Sequence, residues 1–588
     1  VPIKLVNATN ADLHVSMDTG ITGPGKLEGQ AEGAVAVPAQ RSVVIWRTLV
    51  ATGEGRISVH AAATAAGAEE TLSSVCDGEI PSRAASGFDT AVAVHRLREG
   101  ESLTIQPDER FIPDSTSTRV AIGPGPDIQL MPAIDSLIDY PYGCVEQTTS
   151  RLFALLEVPA LLEATSPDRG KAVGEMIDGG IDRLWSMQTS SGGLAYWPGG
   201  HEAYPWGTAY AAEFLVRARE SGRKIDPLCL TMLAEYLERT LRSGREDADE
   251  NLRAHMCDVL ARLDRPQPGW VASLAEHMDR LDIAGRAHLA RAMEAGGHHD
   301  RAIGLLKDDI LSIAVATTSS GRLTSATTQI ADLLWVLMDI EPSHPMAAVL
   351  ARKLEAARSN GAWHSTAENA AAVCALARYT RMTPPSGPFQ GTLSTRAGTT
   401  PFDSETPFTS KLPGVECPAT VAVHGPGDAF ITVATRGRTA SPLPRFRRGL
   451  DLDREWVNRE GKPLHLEGMR VGNLIQVRIT LRATGADQSE ASNIAVVDLI
   501  PAGFEVENPA LATSATQHSD GDRPDRVEFL DDRVVVFTSA SSKPREFRYF
   551  LRAVAAGRFV QAPIQAASMY DPGLAAGGGD VSTIQVRR

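Results

Sequence analysis

The sequence predicts a multidomain α+β protein in which β-sandwich domains flank a long helical block. Ten of the 13 Met and six of the eight Trp fall between Met131 and Met382. That stretch is rich in Ala, Leu and Arg, which lose little rotamer freedom in a helix. Outside it the chain breaks into short segments bounded by Gly, Pro and Asp. From Leu474 to Arg482, Val477, Ile479 and Leu481 alternate with Gln476, Arg478, Thr480 and Arg482, the period of a half-buried strand. At 588 residues the chain exceeds what one core serves and divides into about four domains.

Residues 1–82 read as a β-sandwich with strands at Ser42–Trp46 and Arg56–Val59. A second β segment runs from about Phe88 to Pro126, within 83–127, and a third from about Pro388 to Thr435, within 383–440. Neither is long enough for a core of its own. The economical arrangement pairs them into one sheet domain, interrupted by the helical block at 128–382. Antiparallel helix pairs recur in that block with short Gly, Pro or Asp connections, as in Pro227–Arg242 followed by Ala248–Leu263. Repeats of this kind suit an α/α toroid. The Arg- and Pro-containing stretch Arg436–Arg448 reads as a linker. Residues 441–588 form a closing sandwich with strands at Ile494–Ile500, Val534–Phe537 and Glu546–Arg552.

A net charge of −14 without long Arg or Lys clusters argues against nucleic acid as a partner. No apolar run approaches the roughly 18 residues of a membrane span. No signal peptide precedes the first strand, and a chain starting at Val1 without Met reads as processed or cut from something longer. Six cysteines stand at 76, 144, 229, 257, 374 and 417, without a CxxC pair or a disulfide-dense pattern. Cys229 and Cys257 either face each other across a helix pair or stay buried thiols. No metal set is expected, because His298-His299 lacks ligands at useful spacing. Gly577-Gly578-Gly579 reads as a loop without the helix a phosphate site wants. No cofactor is expected.

The chemistry concentrates in Tyr140-Pro141-Tyr142-Gly143-Cys144-Val145-Glu146-Gln147. Attack of the Cys144 sulfur on the Gln147 side-chain carbonyl, with loss of ammonia, closes a ring through an internal thioester. A Gln amide is inert, whereas a thioester is an acyl donor with a low-pKa leaving group. Gly143 leaves room for the tight backbone of that ring. The first helix of the block is expected to begin near Cys144, placing the pair at an exposed helix N-terminus whose dipole favours a thiolate. Glu146 either accepts a proton during ring formation or is a solvated carboxylate at the helix start.

A bare Cys-x-x-Gln is weak evidence, but the eight-residue string is specific. It resembles the thioester motif of the α2-macroglobulin and complement superfamily in the form of its bacterial branch; vertebrate members usually carry Gly in place of Val145. Met187-Gln188-Thr189-Ser190-Ser191-Gly192-Gly193, Tyr196-Trp197-Pro198 and Pro205-Trp206-Gly207-Thr208-Ala209-Tyr210 resemble a pattern between toroid helices. Trp363-His364-Ser365-Thr366-Ala367-Glu368-Asn369-Ala370 resembles the start of a late toroid helix. By their own chemistry both read as scaffold, with aromatics filling hairpin ends and Glu368 or Asn369 capping a helix. Pro501-Ala502-Gly503-Phe504 and Met569-Tyr570-Asp571-Pro572 resemble parts of the closing macroglobulin domain.

The resemblance implies macroglobulin-like sandwiches at 1–82 and 441–588, a CUB-type domain at 83–127 and 383–440, and an α/α toroid thioester domain at 128–382. It implies a broad-spectrum protease trap. Cleavage of a bait region exposes the thioester, and a Lys amine of the attacking protease takes the Gln147 acyl group, once and without turnover. No segment of this chain reads as a bait. The implied partners are target proteases and a periplasmic penicillin-binding protein. The implied location is the periplasm, with the full-length form an inner-membrane lipoprotein anchored through an N-terminal portion. Water must be kept from the bond. Tyr140 is the implied lock, with Tyr142, Met569 and Tyr570 as further cover, unless the four are ordinary packing residues. His255, 111 positions beyond Cys144, matches a histidine that in some complement members routes the acyl group to hydroxyls; otherwise it is a surface or satisfied core residue. Two other classes stay open. One is a covalent surface-attachment or tagging module, and the other a cysteine acyltransferase or amidase with a His base. A toroid of the prenyltransferase type would need zinc.

Overall fold

The computed structural model describes the chain outside residues 30–33, 67–70, 83–87, 244–247, 313–322, 383–386, 440–443, 459, 465–467, 485–489, 508–520 and 580. It divides into two units, Val1–Gly87 with Ser441–Ser568 and Gly573–Arg588, and Phe88–Ala440 with Met569–Pro572. The domain limits expected at 82, 382 and 440 fall on or beside segments outside the described residues.

In the first unit, Leu13–Thr22 buries Leu13, Val15 and Met17 and exposes His14, Ser16 and Asp18. This alternation gives one apolar face to an antiparallel sheet ordered Val35–Val37, Leu13–Thr22, Gly55–Ala66, Thr71–Ser82. Ser42–Trp46 is a strand paired with Pro2–Val6, and Arg56–Val59 lies within Gly55–Ala66. The unit also holds a four-stranded sheet of Leu450–Val457, Leu474–Ala483, Arg545–Ala553 and Phe504–Glu507, and a six-stranded sheet centred on Ala491–Leu499 and Arg533–Ala540. Leu450, Ile475, Val477, Val496, Val536 and Leu551 pack these into one core. The linker reading needs correction, because Arg436 to Arg438 end the strand Ala429–Arg438 and Phe446–Arg448 pairs with Ala575–Gly577. Gly577 is therefore strand and not loop. Edge pairing uses backbone groups and tolerates Arg and Gly, so composition hid it.

In the second unit, strands from before and after the helical block share sheets. Ser117–Gly123 sits between Phe408–Pro413 and Ala429–Arg438, with Val120 opposite Val433, and Ser102–Ile105 pairs with Ala419–His424. Val120, Ile122, Leu393, Val421 and Ile431 form their joint core. Between these segments thirteen α-helices run from Met131 to Met382 among the described residues. Pro227–Arg242 has its expected bounds because Asp226 accepts from Leu228 N–H and Cys229 N–H ahead of a first-turn Pro. Its successor is Glu250–Arg262, capped by Asp249. A helix at Met131–Ile138 precedes Cys144, so the one beginning there is not the first.

The helix Val145–Glu157 packs beside Thr366–Met382. Phe153 anchors it, with ring centroids 5.2 Å from Tyr210, 5.5 Å from Phe214 and 5.4 Å from Trp335, within the range of favourable aromatic pairs.

Candidate functional site

Cys144 is the N-cap of Val145–Glu157, in extended backbone at φ −69° and ψ 176°. Gln147 is the third residue of that helix, so the two side chains meet over the first turn. Each caps the other. Cys144 N–H donates to Gln147 Oε1 at 3.1 Å, and Gln147 N–H donates to Cys144 Sγ at 3.4 Å. This is a capping box with sulfur in place of a hydroxyl. It holds nucleophile and amide on one side of the turn, and the first bond polarises the carbonyl the sulfur would attack. Gln147 Nε2 donates to Met569 Sδ at 3.1 Å.

The exposed helix end expected from the sequence is not found. Cys144 and Glu146 are 0% exposed and Gln147 1%. Burial outweighs the helix dipole and pushes the Cys144 thiol up to about 12, with Glu146 adding to the rise and hydrogen bonds from Gln147, Tyr570 and Tyr196 opposing it. Cys144 is a neutral thiol at neutral pH.

The role of Gly143 also differs from the expectation. A Cβ there would stand 2.7 Å from Arg183 Nε. Arg183 lies against the glycine and donates from Nε at 3.1 Å and Nη2 at 2.8 Å to Gly143 O. Arg151 fastens the preceding turn, donating from Nη2 to Tyr140 O at 2.8 Å and from Nε to Leu137 O at 3.1 Å. The glycine thus admits a guanidinium.

Glu146 is not solvated. Its Oε1 accepts from Ser150 Oγ at 2.6 Å, its Oε2 from Tyr570 Oη at 2.6 Å, and both from Thr366 Oγ1 at 2.8 Å. Desolvation raises its pKa and these three hydroxyls oppose the rise. Tyr570 Oη also lies 3.8 Å from Cys144 Sγ. Met569 therefore touches Gln147, and Tyr570 touches Cys144. Tyr140 and Tyr142 are half-buried and meet edge-on at 5.4 Å. Burial raises the Tyr140 phenol, with Glu146, Tyr142 and Cys144 adding to the rise.

Several site residues carry no signal in the eight-residue motif. Tyr196 and Thr366 sit inside the two segments read as scaffold, and those segments are largely scaffold: Asn369 Oδ1 accepts from Trp363 N–H at 2.9 Å and Glu368 Oε2 from His364 N–H at 2.9 Å. Yet Tyr196 O accepts from Val145 N–H at 3.0 Å, and Thr366 reaches Glu146. Gly207 belongs to the same arrangement, since a Cβ there would stand 2.7 Å from Val145 Cγ1.

His255 is engaged elsewhere. Its Nε2 lies 2.8 Å from Glu213 Oε2, and its ring stacks on His288 at 3.9 Å. Among the described residues no hydrogen bond joins it to Cys144 or Gln147. One ligand atom each of Glu213, His255 and His288 lies within 4.8 Å of the others, a spacing that could hold a metal ion. Arg291 also donates to Glu213 at 2.6 Å and to Asp258 at 2.8 Å, and His288 bonds Asp258 at 2.8 Å. The cluster is laced by these ion pairs, with Asp258 Oδ1 left without a hydrogen-bond partner. No disulfide joins any two of the six cysteines, and among the described residues no helix is long and apolar enough to cross a membrane.

Residues 449–573 match the family described as bacterial α2-macroglobulin MG10 domain. An α2-macroglobulin of Escherichia coli K12 is 27% identical over 636 residues, covering 100% of this chain and 37% of its own length. An α2-macroglobulin homolog of Yersinia pestis is 22% identical, covering 95% of this chain and 30% of its own length. The chain thus spans well under half of these relatives. Salmonella α2-macroglobulin reacted with methylamine superposes with a TM-score of 0.82 at 26% identity, covering 100% of this chain and 39% of that one. The portion of native E. coli α2-macroglobulin from domain MG7 to the C-terminus shares the fold, with a TM-score of 0.84 at 24% identity and coverage of 100% and 96%.

Proposed function

We propose, for a chain that carries the bacterial α2-macroglobulin MG10 domain and resembles that family along its whole length, that Cys144 and Gln147 form an internal thioester through which attacking proteases are captured. The reciprocal hydrogen bonds between the two residues, inside a buried site, carry this reading. In ring closure the Cys144 Sγ–C bond to Gln147 Cδ forms, charge gathers on Oε1 against the Cys144 N–H, and the Cδ–Nε2 bond breaks with release of ammonia. In capture a Lys amine attacks the same carbon, the S–C bond breaks, and a stable amide and the Cys144 thiol remain. Nothing regenerates the acyl donor, so each molecule acts once.

The cover supports a bond kept until it is needed. Met569 and Tyr570 contact the pair. A thioester in contact with water is consumed by hydrolysis, so such cover sets its lifetime. We assign the same site to covalent capture of proteases in the periplasm, with the upstream sensing element on other parts of the full-length protein.

Intact-mass spectrometry tests this. The chain is expected about 17 Da below its sequence mass through loss of ammonia, and about 31 Da heavier than that after methylamine, with one new thiol. Cys144→Ala and Gln147→Ala are expected to abolish both signals. A wild-type chain at full sequence mass and inert to methylamine refutes the reading.

A further inference from the structure

We propose that Tyr570 relays the Cys144 thiol proton to Glu146 during thioester closure, with Thr366 and Ser150 as positioning residues. The inference rests on the thioester reading above and assigns it a base.

A base is needed because the thiol is buried and neutral. With its pKa near 12, about one thiol in 10⁵ is ionised at pH 7. The amide presents the complementary difficulty, because NH₂⁻ does not leave and the nitrogen must gain a proton as the Cδ–Nε2 bond breaks. One group that first takes and then returns a proton serves both needs.

Glu146 is placed for that task. It is 0% exposed, and among the described residues it makes no ion pair. A buried carboxylate paired with Arg or Lys would be locked in its charged form; this one is held by three neutral hydroxyls, which stabilise the anion without preventing protonation. Thr366 Oγ1 spans both carboxylate oxygens at 2.8 Å and Ser150 Oγ fixes Oε1 at 2.6 Å, so Oε2 is turned to Tyr570 at 2.6 Å. The Tyr570 hydroxyl donates to Oε2, and its oxygen, which Tyr196 also hydrogen-bonds, has two lone pairs, so one can face the Cys144 S–H across the 3.8 Å contact. The order of donors is therefore Cys144 S–H, Tyr570 O–H, Glu146 carboxylate. The neighbouring Met569 accepts from the Gln147 nitrogen at 3.1 Å, so adjacent residues of one segment attend the nucleophile and the leaving group.

The step balances. Sγ loses its proton to Tyr570 Oη while Tyr570 passes its own to Glu146 Oε2, and the Sγ–Cδ bond forms with the oxyanion on Oε1. The Oε1 oxyanion then collapses to the carbonyl as the Cδ–Nε2 bond breaks, and the proton held on Glu146 passes back through Tyr570 to the departing nitrogen, which leaves as ammonia. One thiol and one amide become one thioester and one ammonia, with no redox change and Glu146 restored.

The test follows ammonia loss by intact mass at fixed times during cell-free synthesis of the full chain, between pH 6 and pH 9. Wild type is expected to close at a rate nearly independent of pH. Tyr570→Phe keeps the ring and loses the relay; closure is expected about 10²-fold slower or more, rising about tenfold per pH unit as thiolate becomes the reactant. Glu146→Gln is expected to slow closure likewise. Thermal melts identify the variants that remain folded. Wild-type closure rates in either folded variant, or a slow Tyr570→Phe with a flat pH profile, overturn the relay. A wild type that never loses ammonia overturns the thioester reading instead.

Discussion

Replacing Gly143 by Ala probes what the glycine ahead of Cys144 is for. The added methyl would lie 2.7 Å from Arg183 Nε and 2.8 Å from Nη2. Arg183 is an exposed residue, so its guanidinium can swing into water and the overlap is relieved. What is lost is the bidentate bond to Gly143 O, and a hydrogen bond from a charged donor contributes about 1.5–3 kcal/mol. The carbonyl, on a buried residue, is left unpaired. Gly143→Ala is therefore expected to destabilise by about 2 kcal/mol, which lowers Tm by about 4–8 °C for a helical block of this size. Far-UV circular dichroism melts read this. Arg183→Ala should reproduce most of the loss, and adding Gly143→Ala to it should cost little more, giving a coupling of about 1.5 kcal/mol in the double-mutant cycle. A coupling below about 0.5 kcal/mol, within the range of independent sites, would refute the steric account and return the glycine to a role in the backbone turn.

Two further outcomes follow from the same unit. Phe153→Ala removes a ring that three aromatic neighbours surround; it is expected to destabilise by about 3–5 kcal/mol, and a loss under about 1 kcal/mol would mean that the helix is not anchored there. Burial, and then the adjacent His255 ring, lower His288 from 6.5 to about 4. A depressed histidine pKa means the fold holds the neutral ring. Its stabilisation is present above pH 6.5 and is lost as pH falls through about 4, on the order of 3 kcal/mol. Melts between pH 7 and pH 4 should show that decline, and His288→Gln should flatten it; parallel declines in the two proteins would refute the assignment.

The sequence makes local features legible and leaves distant ones hidden. Cys144 and Gln147 are three residues apart, and a capping box is a local motif, so their meeting could be read directly. Asp226 and Pro227 announce the start of Pro227–Arg242 in the same way. Thr366 lies 220 residues from Glu146, and Tyr570 lies 424 from it; no periodicity encodes such contacts. For Tyr570 the family resemblance supplied the hint, whereas for Thr366 a capping segment concealed the contact. The burial of Cys144 was missed for a related reason. A helix start looks polar in sequence, and only tertiary contacts from distant segments, Tyr570 and Met569 among them, bury it. The strand Phe446–Arg448 escaped because its pairing is a backbone property.

The pairing of Glu146 with Thr366 has a topological consequence. It joins the second helix of the block to the last, and the entry segment Pro126–Leu130 and the first helix Met131–Ile138 also pack on that last helix, so the polypeptide enters and departs the block along one element. A segment whose two ends lie together can be carried between strands of another sheet without straining its host, which is how Ser117–Gly123 and Ala429–Arg438 remain partners across some three hundred intervening residues. The same adjacency allows the block to be reconnected end to end and opened at an exposed helix connection, as a circular permutant that keeps the Cys144–Gln147 turn intact.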